Sequence, residues 1–144
     1  MTTVALDTNA LMMPVELDVR LFDELDRLLG GARRTPNASS GEEPRDSGHE
    51  PVAPQAVAEE LRKLSDTGGE EGIAASVGHD LATDRCLLLH TEASYADDAI
   101  VELAREGSVD YVVTNDKPLR DRVLDADVPV IGLRGKNKLA VTQP

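Results

Sequence analysis

The chain has 144 residues, a formal net charge of −12 and a hydrophobic fraction of 40%, and only 2% of its residues are aromatic. This length predicts one domain with a core of Leu, Val, Ile and Ala. The single cysteine, Cys86, excludes an intramolecular disulfide and a cysteine-based zinc cage. No apolar run approaches a membrane span of roughly 18 residues, so we expect a cytoplasmic protein. The excess of acids is typical of a high-salt, halophilic cytoplasm or of an ordinary acidic protein.

The first third of the chain predicts a strand, a helix and a loop. Apolar residues form the strand at residues 3–6, and leucines at helical spacing predict one helix from Pro14 to Leu29. Residues 32–50 contain no large apolar side chain and are rich in Pro, Gly, Ser and charge, so we expect a mobile surface loop there.

The middle of the chain predicts a strand and two helices. The strand covers residues 51–54, and the first helix covers about residues 55–65. The second helix, at about residues 73–82, has a buried stripe predicted from its spacing, namely Ile73, Val77 and Leu81.

The remaining chain predicts further strands alternating with helices. A buried strand at 86–89 is followed by a helix at 94–106, a strand at 111–113, a helix from Pro118, a strand at 129–133 and a tail that can add an edge strand. This alternation predicts an α/β class fold, with right-handed crossovers and a parallel sheet covered on both faces. We therefore expect residues 1–144 to form one α/β/α sandwich with residues 32–50 as an insertion.

Polar residues follow two of the predicted strands. Asp7 comes directly after the first strand and is followed by Asn9, and Thr114 and Asp116 follow the strand at 111–113. Because open α/β sheets bind ligands outside the carboxyl ends of their strands, we expect these side chains to share one crevice.

Two acidic pairs lie on predicted helices, and helical phase separates their members. At about 100° per residue, Glu60 and Asp97 border the apolar faces of their helices, whereas Glu59 and Asp98 point to solvent. Inward carboxylates are costly unless they are paired or bind a cation, so Glu60 and Asp97 are candidates for function.

Four carboxylates at one crevice repel one another unless a cation lies between them. Oxygen ligands favour Mg²⁺ or Mn²⁺, and Asn9 and Thr114 add neutral oxygens. Such ions activate an attacking water and stabilise the leaving oxygen of a phosphodiester. The four predicted metal-binding and catalytic residues are Asp7, Glu60, Asp97 and Asp116.

Other kinds of catalytic site lack their motifs. The sequence has no nucleophile elbow, Gly-rich phosphate loop or zinc-protease helix. We expect His49 in the loop, His79 in a helix and His90 at a strand end to be structural or solvated, and Cys86 to be a small core residue.

Four stretches together resemble the PIN-domain nucleases, and they are closest to an archaeal branch similar to the small-subunit rRNA-processing endonucleases. They are Leu6–Met12, the segment around Glu60, Tyr95–Ile100 and Val113–Leu119. The longer polar segment 32–50 departs from that family's pattern.

The resemblance implies a metal-dependent endoribonuclease that is often dimeric and has the sheet order 3-2-1-4-5. It places the metal on the four carboxylates above, with Asn9, Thr114 and Asn115 assisting. RNA contacts would then fall on the basic residues that follow Asp116 and the last predicted strand, which include Lys117, Arg120, Arg134, Lys136 and Lys138.

Alternatives within this fold are a non-catalytic RNA-binding or ribosome-assembly module and the toxin of a toxin–antitoxin pair. A haloacid-dehalogenase-like phosphatase needs an acid where Asn9 stands, and a receiver domain needs a Lys after the last strand of the parallel sheet, where the sequence offers no convincing counterpart.

Overall fold

The computed structural model describes residues 1–30 and 48–144, which fold around one mixed sheet. The described strands are β1 (Thr2–Leu6), β2 (His49–Pro54), β3 (Leu87–Leu89), β4 (Tyr111–Val113), β5 (Val130–Arg134) and β6 (Lys138–Thr142). The described helices are α1 (Thr8–Glu16), α2 (Leu21–Leu29), α3 (Gln55–Leu64), α4 (Gly69–Arg85), α5 (Ala96–Arg105) and α6 (Lys117–Asp125).

The strands lie in the order β3-β2-β1-β4-β5-β6, in which the first five are parallel and β6 is antiparallel to β5. The α/β class, the order 3-2-1-4-5 and the added edge strand are thus confirmed. β1 and β4 are central, and Leu6 is paired with Val113 where both strands end. Because parallel strands end at the same sheet edge, the segments after β1 and β4 are neighbours.

The single helix predicted from Pro14 to Leu29 is wrong. The chain forms α1, which begins at Thr8 and contains Pro14, and then a separate α2. Between them Asp18 has a φ of 55°, a left-handed conformation that turns the backbone, and Leu17 remains 41% exposed. The leucines with helical spacing therefore lie on both sides of a turn and do not belong to one helix.

The buried stripe predicted for residues 73–82 is also wrong. Ile73 is 61% exposed, and α4 instead buries small residues, namely Gly72, Ala74, Ala75, Gly78 and Ala82. α4 approaches α1 so closely that a Cβ on Gly78 would lie 2.9 Å from the carbonyl oxygen of Leu11. Only small side chains fit this contact, so the larger apolar residues lie to the side or outside.

The strand predicted as buried at residues 86–89 is β3, an edge strand in which Leu87 is 53% exposed. An edge strand lacks a neighbour on one side, which leaves part of its apolar surface uncovered.

Most of the predicted loop, residues 32–47, lies outside the described residues. The end of that range is described, and His49 and Glu50 belong to β2. His49 is fully buried, with its Nδ1 2.6 Å from the carbonyl oxygen of Gly30, so its placement in a loop was wrong. In residues 1–30 and 48–144, none of the helices has the length and apolarity to cross a bilayer.

Candidate active site

Asp7 lies at the carboxyl end of β1 and caps α1. Its Oδ1 accepts a 2.7 Å hydrogen bond from the backbone N–H of Ala10, and its Oδ2 accepts one from the hydroxyl of Thr114. Burial raises the pKa of Asp7 to about 7 although both hydrogen bonds lower it. Asp97 and Asp116 raise this pKa further by repulsion. Asp7 is therefore a buried acid whose charged form is disfavoured by burial and by the neighbouring acids.

The segment after β4 presents Asp116. The backbone N–H of Asp116 donates a 3.0 Å hydrogen bond to Thr114 Oγ1, so the Thr114 hydroxyl contacts both acidic residues. Asp116 stands at the N-cap of α6, but its side chain makes no capping hydrogen bond. The half-buried Asp116 carboxylate is thus left available for a ligand.

Asn9 and Asn115 join the ends of three neighbouring strands. The backbone N–H of Asn115 donates to Asn9 Oδ1 at 3.2 Å, and Asn115 Oδ1 accepts from the backbone N–H of Leu133 at 2.7 Å. These contacts tie the segment that carries Asp116 to α1 and to β5. The two amides hold the segment that carries Asp116 in position, and their assisting role in function stays a prediction.

Glu60 lies on α3, and its carboxylate reaches across to α1. Both Glu59 and Glu60 are exposed, so the prediction that Glu60 borders the core face is wrong. Glu60 nevertheless differs from its neighbour, because its Oε1 accepts a 2.5 Å hydrogen bond from the hydroxyl of Thr8. Thr8 is the residue next to Asp7, so α3 presents Glu60 to the same edge of the sheet.

Asp97 and Asp98 lie in the first turn of α5 and are both exposed, so the inward placement of Asp97 is wrong in terms of burial. Partial shielding of its carboxyl group raises the pKa of Asp97, and repulsion from Asp116 and Glu60 raises it further. Asp98 forms a 3.1 Å ion pair with Arg122, so the prediction that it reaches only solvent or a helix end is wrong. The two neighbours therefore face different partners.

Electrostatic repulsion links the four predicted acids into one group. Asp7 is affected by Asp97 and Asp116, and Asp97 is affected by Asp116 and Glu60. Within the described ranges, no three His, Cys, Asp or Glu side chains are close enough to enclose a metal ion directly. The donors are all oxygens, and a hard ion such as Mg²⁺ keeps several waters and needs only one or two carboxylates, so the group fits a hydrated divalent ion.

Comparison with known proteins decides the family. A family model described as "PIN like domain" matches residues 4–42 and 45–136. The chain belongs to this family. The PIN-domain resemblance seen in the sequence is thereby confirmed.

Two relatives extend the comparison of this PIN-like domain. The chain is 35% identical over 78 residues to "Ribonuclease VapC4" of Methanocaldococcus jannaschii, and the match spans 54% of this chain and 59% of that protein. It also superimposes on the structure titled "Structure of the PIN domain endonuclease Utp24" with a TM-score of 0.72 and 25% identity, covering 99% of this chain and 92% of the other.

The basic residues of the PIN-like domain divide into paired and unpaired groups. Lys117 pairs with Asp121 at 3.1 Å, and Arg122 pairs with Asp98. In the part of the chain that the structure describes, no ion pair involves the remaining predicted RNA contacts, which are Arg120, Arg134, Lys136 and Lys138.

Cys86 is half-buried against the core, and burial raises the pKa of its thiol to about 12. A thiol with so high a pKa is almost entirely protonated at neutral pH and is a poor nucleophile, in keeping with the packing role predicted for it.

Proposed function

We propose that this PIN-like domain is an endoribonuclease that hydrolyses RNA phosphodiester bonds with the help of Mg²⁺ or Mn²⁺. The observation that carries the proposal is the buried carboxylate of Asp7, whose charge is opposed by burial and by two further acids. A bound cation would offset this repulsion. Relatives named as a ribonuclease and as an endonuclease support the choice of reaction.

In this proposal Asp7, Glu60, Asp97 and Asp116 hold one or two ions, directly or through waters. A bound divalent ion supplies an activated water and stabilises the charge that develops on the leaving oxygen. Asp7 is held by α1 and by Thr114, so its carboxylate keeps one orientation. Thr8 restrains Glu60 through its hydroxyl group. The protein thus supplies carboxylate ligands in fixed positions for the ion that would act on the phosphate.

A net charge of −12 opposes the approach of RNA, so substrate contact must depend on local cations. We assign phosphate contacts to the unpaired basic residues near the carboxyl edge of the sheet and on the β5–β6 hairpin. These are Arg120, Arg134, Lys136 and Lys138, and the exposed Lys117 can join them by leaving Asp121. Such contacts are salt-sensitive and largely independent of sequence.

The proposal includes a cytoplasmic setting, with ribosomal RNA precursors as one substrate class and a homodimer as the working assembly. The alternative of a non-catalytic RNA-binding module predicts the same binding without cleavage, so activity measurements separate the two.

The test is cleavage of a structured and an unstructured RNA by the full chain in Mn²⁺, in Mg²⁺ and in EDTA. We expect cleavage only with metal, and its loss in Asp116→Asn. Asp125→Asn removes an acid at the far end of α6, more exposed than the half-buried Asp116, and serves as the control. RNA binding without cleavage under all conditions would support the non-catalytic module instead.

A second readout is thermal unfolding. Mn²⁺ should raise the midpoint of the wild type because it binds the native state, and Asp116→Asn should reduce that shift. An equal shift in Asp116→Asn would place the ion elsewhere.

A further inference from the structure

A small polar cavity lies beside Asp116, between α6, the end of β4 and the β5–β6 hairpin. Its volume is about 170 Å³. The polar residues that line it are Thr114, Asn115, Arg120, Arg134 and Thr142. Arg120 lies one helical turn after Asp116, and the backbone N–H of Arg120 bonds to the carbonyl oxygen of Asp116 at 2.8 Å. The cavity therefore adjoins the group of acids without including any of them.

Both arginines of this cavity lack a counterion among the residues that the structure describes. Two other arginines are neutralised internally, Arg27 by Glu24 at 2.7 Å and Arg122 by Asp98. In residues 1–30 and 48–144, neither Arg120 nor Arg134 forms an ion pair. On a chain with a net charge of −12, two unpaired arginines at one cavity form a local site for an anion.

The β5–β6 hairpin places Lys138 beside Arg134, although Lys138 lines a separate cavity next to Arg27. Arg134 on β5 is paired directly with Lys138 on β6, and cross-strand partners share one face of a sheet. Like charges in this position destabilise a hairpin unless an anion lies near them. Lys138 also lowers the pKa of Glu24, so the charge of Lys138 is partly offset by that acid.

The size of the cavity limits what it can hold. Pockets for drug-sized ligands measure roughly 300 Å³ or more, and a water takes about 30 Å³ of liquid, so this cavity has room for about five waters. A single phosphate group fits that space. Guanidinium groups bind phosphate oxygens through paired N–H donors, so the residue types also match.

We propose that Arg120 and Arg134 together bind one backbone phosphate of the RNA, adjacent to the phosphodiester that is cleaved. The proposal rests on the RNA substrate proposed above. Binding of this neighbouring phosphate would fix the path of the RNA backbone, so that the phosphodiester to be cleaved lies next to Asp116. The two arginines act as one subsite and are positioning residues.

The salt dependence of RNA binding tests this proposal without relying on cleavage. The probe is a fluorescein-labelled single-stranded RNA of roughly 12 nucleotides. Binding is measured in EDTA over a series of salt concentrations with the full chain carrying Asp116→Asn. The affinity falls as salt rises, so the plot of log K against log salt has a negative slope. Each phosphate contact that is lost on a single strand reduces the magnitude of this slope by about 0.7.

Two arginines on one phosphate predict a non-additive result. Arg120→Gln and Arg134→Gln should each weaken RNA binding about tenfold. In the double variant the magnitude of the salt-dependence slope should fall by about 0.7 in total, the value for one phosphate. Arg105→Gln, an exposed change at the far end of α5, should leave both the affinity and the slope unchanged. Thermal unfolding should be the same for all these variants.

Three outcomes would overturn the proposal. Slope changes that add in the double variant would mean two separate phosphates, and effects equal to those of Arg105→Gln would mean ordinary surface charge. Competition by polyglutamate as strong as that by unlabelled RNA would point to an acidic protein partner. Cleavage tests the proposed function separately. A protein that binds RNA in this way but does not cleave it would support the phosphate subsite and contradict the proposed nuclease activity.

Discussion

The hydroxyl of Thr114 donates a hydrogen bond to the buried Asp7 Oδ2, from a position 107 residues further along the chain. The same hydroxyl oxygen accepts a hydrogen bond from the backbone N–H of Asp116. A threonine hydroxyl has one proton and two lone pairs, so it can make both bonds at once. Thr114 thereby fixes the relative positions of the two strand-end acids.

Thr114→Val should test this bridge. The change keeps the shape of the side chain but leaves the Asp7 carboxylate without its side-chain donor, which we expect to cost about 1 to 3 kcal/mol in the free energy of unfolding. RNA cleavage should also fall. Urea denaturation and a cleavage assay measure the two effects. Thr114→Ser keeps the hydroxyl and is the control; a Ser variant as weak as the Val variant would show that the methyl group matters instead.

The two acidic pairs provide a second test. Glu60→Gln and Asp97→Asn should sharply reduce cleavage, because these carboxylates belong to the mutually repelling group. Glu59→Gln should have little effect, and Asp98→Asn should lose only its exposed pair with Arg122, worth about 0 to 1 kcal/mol. If Glu59→Gln or Asp98→Asn proves inactive while its neighbour stays active, the site must be rebuilt around the outer acids.

Glu24 fastens α2 to the edge strand β6. Its carboxylate accepts hydrogen bonds from Arg27 and, at 2.9 Å, from the backbone N–H of Leu139, while Arg27 donates to the carbonyl oxygen of Leu139 at 2.8 Å. The hydrogen bond from Arg27, followed by that from Leu139, lowers the pKa of Glu24 from 4.5 to about 2. This contact covers part of the free edge of β6.

Stability should therefore depend on Glu24 at low pH. The folded pKa lies below the unfolded one, so the contribution is complete above about pH 4.5 and is lost as the pH falls toward 2. Glu24→Gln should lower the free energy of unfolding by about 1 kcal/mol at neutral pH, with the difference from wild type shrinking as the pH falls. Denaturation at several pH values measures this, with the exposed Asp23→Asn as control. A difference that is constant with pH would contradict the assignment.

Gly78→Ala should destabilise the protein. Alanine normally favours a helix over glycine by about 1 kcal/mol, but here the added Cβ would lie 2.9 Å from the carbonyl oxygen of Leu11 and 3.1 Å from Leu61 Cδ2. We expect a net loss of about 1 to 3 kcal/mol by thermal or urea unfolding. The control is Ser76→Ala on the exposed face of α4. A more stable Gly78→Ala variant would mean that α1 and α4 can separate without cost.

The central strands and the strand-end acids could be predicted from local sequence. Short aliphatic runs bounded by polar residues mark β1 and β4, and Asp7 and Asp116 follow them because the carboxyl ends of parallel strands meet at one edge. The strand-end features depend on the period of a single element, which the sequence encodes directly. Helical phase did not separate Glu60 from Glu59 by burial, since both are exposed and only the contact with Thr8 distinguishes them.

Features that depend on how two elements approach each other could not be predicted in this way. The stripe that contains Ile73 has helical spacing, yet α4 buries its small residues because the path of α1 leaves no room for larger ones. His49 was assigned to a loop by composition, and it is buried because β2 begins beside the carbonyl oxygen of Gly30.

The sequence by itself thus determined the order of strands and helices and the chemical types of the candidate site residues. The tertiary structure decided which acids repel one another, as Asp97 and Asp7 do, and which cations form no ion pair with another described residue, as is the case for Arg120 and Arg134. The physical reason is distance: charge interactions and hydrogen bonds weaken as groups move apart in space, and only the folded chain brings residues 7, 97 and 116 near enough to affect one another's charge.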